Sequence, residues 1–97
     1  MNEAIPLPEL HEGALDEPTL DALVGDILRE TRVIAVMVKG AATTLAEGGD
    51  VTLEAAIAML REGSVRAVQV RYEHRGQLWS DTLLRTPQGV RIVRMAV

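Results

Sequence analysis

His74, Ser80 and Asp81 are the residue types of a nucleophilic triad, and all three fall in the stretch RYEHRGQLWSDTLLRTPQGVRI, residues 71–92. The same stretch carries the only tryptophan, Trp79, and the only tyrosine, Tyr72. Acyl transfer needs a nucleophile and its base held around a pocket. Here the three groups are close neighbours on one hairpin, and Ser80 lacks the flanking glycines of a nucleophile elbow. The set does not amount to a catalytic site, and the expectation is a non-enzymatic protein.

Other chemistries are narrowed in the same way. The chain has no cysteine, which removes disulfides, thiolate nucleophiles and cysteine-ligated metal centres. His11 beside Glu12 has no second ligand at metal-binding spacing, so no metal and no cofactor are expected. The carboxylates of Glu12, Asp16 and Glu17 sit where a helix starts, and the helix dipole accounts for acids there. The loop between Gly40 and Asp50 is rich in glycine and threonine and follows an apolar run, the position of a phosphate-binding loop. It matches neither GxGxxG nor GxxxxGK[ST], and Lys39 precedes its first glycine. Small-ligand or phosphate binding there is a secondary alternative.

The net charge of −4 conceals an asymmetry. Residues 1–64 hold twelve acids and four bases, whereas residues 65–97 hold six arginines against Glu73 and Asp81. Arg66, Arg71, Arg75, Arg85, Arg91 and Arg94, with Trp79 or Tyr72 as stacking platforms, allow single-stranded nucleic-acid binding as a second alternative. The acidic total and the single lysine stand against it.

These side chains need elements to position them. Asp16, Glu17 and Pro18 form a helix start, and Leu20, Leu23, Val24, Ile27 and Leu28 repeat as one apolar stripe. The six-residue run from Val33 to Val38 is apolar on both alternating faces, which predicts a central strand covered on both sides. Asp50 or Thr52 caps a second helix carrying Leu53, Ala56, Ile57 and Leu60, and Gly63 suits its left-handed end. Residues 65–73, 77–85 and 90–95 then read as three strands separated by glycine turns.

The expected fold is a small α+β domain over residues 16–97, in the order α-β-α-β-β-β. Its sheet has four strands and is mixed, with a right-handed βαβ crossover, two C-terminal antiparallel hairpins and both helices on one face. Residues 1–15 read as an extended arm, given two prolines, a glycine and no periodicity. The start MNEAIPLPEL has none of the pattern of a signal peptide, and no run approaches a membrane span, so a cytoplasmic protein is expected.

Turn length decides which side chains share a face. A two-residue loop in EHRGQ puts Arg75 at positive φ, whereas a three-residue loop with Gly76 as a bulge avoids this. TPQG fits the three-residue design with Gly89 as the bulge. In that register Tyr72 faces Leu78, Leu84 faces Ile92, and Trp79, Arg71, Asp81, Arg85 and Arg91 share the solvent face. Changing the turn by one residue brings Trp79, Asp81 and Leu83 inward, where Asp81 meets Arg94. In the bulged register the solvent face mixes tryptophan, arginine and aliphatics, the composition of an interface. The leading expectation is a protein-binding or self-association module using that face, forming a homo-oligomer or docking on a protein partner.

Overall fold

The structure, a computed structural model, describes residues 10–40 and 51–97. Five strands and two helices follow one another as β1 (Leu10–Leu15), α1 (Glu17–Glu30), β2 (Arg32–Lys39), α2 (Leu53–Glu62), β3 (Ala67–His74), β4 (Gln77–Thr86) and β5 (Gly89–Ala96). Among the described residues no helix is long and apolar enough to cross a membrane.

Local chemistry sets both helices. The Asp16 carboxylate accepts the Thr19 N–H at 2.9 Å, and hydrogen bonding from Thr19 holds its pKa below the ordinary aspartate value. Thr31 closes the other end, its hydroxyl donating to the Ile27 carbonyl at 2.7 Å. In α2 the Thr52 hydroxyl accepts the Ala55 N–H, and Gly63 ends the helix at φ 86°.

The strand order is β1-β5-β4-β3-β2, and every neighbouring pair is antiparallel. This overturns the four-stranded mixed sheet with a βαβ crossover. A crossover helix makes parallel neighbours only if it carries the chain to the far end of the sheet. Here the excursion through α2 leaves and returns at the same end, where the Arg66 N–H donates to the Lys39 carbonyl at 2.9 Å. The fifth strand comes from residues 10–15, which pair with β5 from Leu10↔Met95 to Leu15↔Val90.

The expectation for Val33 to Val38 also changes. β2 lies at the sheet edge, with Val38 buried, Val33 and Val36 half-buried, and Ile34 and Met37 exposed. The helices cover only one side of the sheet. Leu20 and Ile27 of α1 and Leu53, Ala56, Ile57 and Leu60 of α2 pack on Val68, Val70 and Tyr72 of β3, Leu83 of β4, and Val90 and Ile92 of β5. The apolar stripe of α1 is narrower than expected, since Leu28 is exposed.

Both hairpins turn through two residues. His74 pairs with Gln77 and Thr86 with Gly89, so neither tip has the three-residue form. The inward residues of β3 and β5 stay as expected, but β4 is reversed: Tyr72 faces Trp79, Val70 faces Asp81, and Leu83 faces Ile92. At the first tip Arg75 takes φ 55° and Gly76 φ 81°, the pattern of a type I′ turn. The left-handed conformation costs Arg75 about 1 kcal/mol, and the reversal exchanges Leu78 and Leu84 for Trp79 and Leu83 on the helix side while bringing Asp81 opposite Arg94. Asparagine tolerates this conformation better. Arg75→Asn is therefore expected to raise stability by about 0.5–1 kcal/mol, read as a higher urea midpoint at unchanged slope.

Candidate functional site

The reversal of β4 gathers a polar cluster under the helix layer. Asp81 lies directly across from Arg94 on β5 and diagonally from Tyr72 on β3. Its carboxylate is fully buried. Arg94 grips it through two parallel bonds, Nε to Oδ1 at 2.8 Å and Nη2 to Oδ2 at 2.7 Å. The Tyr72 hydroxyl lies 3.0 Å from Oδ1 and 3.1 Å from Oδ2 and donates to them.

The electrostatics keep Tyr72 and Arg94 protonated. Burial and then the negative charge of Asp81 push the Tyr72 phenol well above its ordinary pKa, so it stays a donor and is no nucleophile at neutral pH. Burial works against the Arg94 charge, but the hydrogen bonds and charge of Asp81 outweigh it and hold its pKa above the ordinary value. Donors from two residues occupy both oxygens of Asp81, so this carboxylate is poorly placed to act as a general base. The cluster is an ordering and binding element.

It forms one wall of a cleft of about 350 Å³ between α1 and the sheet. Leu23, Asp26, Ile27 and Glu30 of α1 and Thr31 at its end face Tyr72, His74, Trp79 and Arg94 across it. His74 Nδ1 meets the Glu30 carbonyl at 3.2 Å, and because a carbonyl only accepts, Nδ1 carries the hydrogen. Asp26 is engaged by Arg29 at 2.8 Å on the exposed side.

The residues singled out from the sequence are divided between the two faces. Trp79 is half-buried on the helix side and lines the cleft, and Asp81 is the buried member of the ion pair. Arg85 turns to the C-terminal end of α2, where its Nη1 donates to the carbonyls of Leu60 and Arg61 at 3.1 and 3.0 Å. Arg71 and Arg91 are exposed, and strand alternation puts both on the side away from the helices, Arg71 opposite Ser80 and Arg91 opposite Leu84. The same alternation separates Ser80 from His74 and Asp81, so the triad types never meet.

Tyr72 and Trp79 face away from Arg71 and Arg91, so the face opposite the helices offers no aromatic platform beside those arginines. The glycine–threonine loop lies outside the described residues from residue 41 onward. Among the described residues no three histidine, aspartate or glutamate side chains cluster as metal ligands.

From the sequence, Tyr72 and Arg94 stood out only in the nucleic-acid alternative and, for Arg94, as the partner of Asp81 if the turn changes by one residue. Their signal is alternation: once the hairpin tips hold two residues each, Tyr72, Asp81 and Arg94 must share one face. Compared with known proteins, the chain matches no family model, no curated protein and no solved structure.

Proposed function

We propose that the protein is a non-enzymatic, cytoplasmic self-association module in which β2 of one copy pairs with β2 of a second. The observation that carries this reading is the mismatch between the composition of β2 and its position. Its six central residues are uninterruptedly apolar, yet it is an edge strand, with Ile34 49% and Met37 38% exposed. A long apolar edge presents unpaired backbone groups and is a template for another strand.

A second copy satisfies that template symmetrically. Two β2 strands running antiparallel about a twofold axis join two five-stranded sheets into one, and β2 becomes the central strand its composition suits. The charges of β2 lie at its ends, Arg32 and Lys39, and Arg32 is already answered by Glu73 at 2.9 Å. The lack of cysteine in all 97 residues fits a reducing compartment.

Light scattering on the eluting protein is expected to give twice the 10.5 kDa chain mass. The double substitution Ile34→Lys and Met37→Lys places charge on both exposed apolar positions and is expected to give the single-chain mass with unchanged circular dichroism. A wild type that runs as a monomer at every concentration up to about 1 mM, well above the range of specific association, would overturn the reading. So would a charged variant that keeps the doubled mass.

A further inference from the structure

The cleft beside Arg94 carries an inference independent of how copies associate. A guanidinium has five N–H donors and two edges that accept a carboxylate side by side. Asp81 occupies one edge, Nε with Nη2. The other edge, one hydrogen each of Nη1 and Nη2, makes no hydrogen bond of 3.5 Å or less among the described residues, although the Tyr72 hydroxyl also interacts with the guanidinium. The Arg94 side chain is 12% exposed and lines the cleft. Trp79 lines the same cleft, and its Nε1–H has no hydrogen-bond partner among the described residues. Partly buried donors left without acceptors are costly, and a ligand oxygen relieves that cost.

The remaining walls define the rest of the ligand. Leu23, Ile27 and the rings of Tyr72 and Trp79 are apolar. The volume of about 350 Å³ lies in the range of small-molecule sites and suits a single ring or short branched chain. The oxygens of Asp81 are already held by Tyr72 and Arg94, so that carboxylate is poorly placed to receive a ligand cation. Asp26 is taken by Arg29, and Glu30 is exposed at the rim.

The geometry points to a binding site for a small organic carboxylate with an apolar body, its carboxylate on the free edge of Arg94 and its body between Leu23, Ile27 and Trp79. The charge of Arg94 is partly spent on Asp81, so a minimal ligand binds weakly, with a Kd on the order of 1 mM.

Trp79 is the only tryptophan, so its indole N–H gives a single resolved signal in a nitrogen–proton correlation spectrum. Phenylacetate and 2-phenylethylammonium carry the same ring with opposite charge and serve as the probes. Phenylacetate is expected to move the Trp79 indole signal saturably, and the ammonium probe is expected to leave it in place. Leu23→Phe fills the apolar part of the cleft without touching the ion pair and is expected to weaken phenylacetate at least fivefold. No saturable shift with phenylacetate overturns the site, and equal or stronger binding of the ammonium probe overturns the assigned charge. Undiminished binding in a folded Leu23→Phe protein places the ligand elsewhere. The two-probe comparison needs only the wild-type protein, so it decides the matter even if that variant does not fold.

Discussion

Replacing Arg94 by methionine is expected to lower folding stability by about 3–5 kcal/mol, the range found when a buried ion pair loses one partner. The loss is large because of what remains. Asp81 is fully buried, and without Arg94 its carboxylate keeps only the Tyr72 hydroxyl as a partner. A domain of this size has a total stability of about 5–15 kcal/mol, so the single change removes a large fraction of it. The triple variant Tyr72→Phe, Asp81→Leu, Arg94→Met is expected to recover to within about 2 kcal/mol of wild type, because an apolar replacement of the whole network leaves no group unpaired. Urea unfolding of both variants checks this. A single variant within about 1 kcal/mol of wild type would mean that water reaches Asp81 and that the network is no closed unit. The triple variant also removes the free edge of Arg94, so it separates the two uses of that residue: a protein that is stable again is expected to have lost phenylacetate binding.

Leu60→Ala is expected to cost about 3 kcal/mol, within the range of about 2–5 kcal/mol for truncating a fully buried leucine. Leu60 is completely buried in the last turn of α2, against the sheet. Its backbone is held as well, because the Leu60 carbonyl accepts from Arg85. The anchored backbone keeps the helix end from sinking into the void, so the cavity persists and the cost stays above the transfer term alone. Leu28→Ala is the matched control. That side chain is 41% exposed on α1, and its truncation is expected to cost under about 1 kcal/mol. Urea midpoints at unchanged slope report both. Equal costs at the two positions would mean that α2 is not held against the sheet as described.

Some elements were legible in the sequence because their signals are local. Asp16 and Thr52 cap the two helices, and Gly63 ends the second in the left-handed conformation. Strands β3, β4 and β5 lie within about two residues of their expected spans, since glycine turns and β-branched runs bracket them. What failed was long-range. LHEGAL has too little alternation to announce β1, and it becomes a strand only because β5 offers an edge. The run from Val33 to Val38 fixes an apolar strand but not its neighbours, so the central position expected for it was a statement about pairing that composition cannot make.

The candidate site turned on a smaller ambiguity. Side chains alternate with period two, so one residue more or less at the Arg75–Gly76 tip moves Trp79, Asp81 and Leu83 between the faces. The preference of Arg75 against positive φ pointed to the longer loop. That local preference is worth about 1 kcal/mol, and it did not decide the register: Arg75 takes φ 55°, Leu83 is buried and Asp81 pairs with Arg94. Arg85 was singled out as a surface arginine of a binding face. Its role at the end of α2 depends on the relative placement of helix and sheet, which no stretch of sequence around residue 85 encodes.

The pairing of the first strand with the last has a consequence for how the protein is made. β1 is the first described element to leave the ribosome, and its partner β5 is the last. At about 5–20 residues per second the two are separated by several seconds of synthesis. Through that interval β1 lacks its sheet partner, and β2 emerges before β3, the strand it pairs with among the described residues. The nascent chain therefore holds its most apolar strand open for as long as translation of α2 and β3 takes, and local translation speed after Lys39 becomes a determinant of yield.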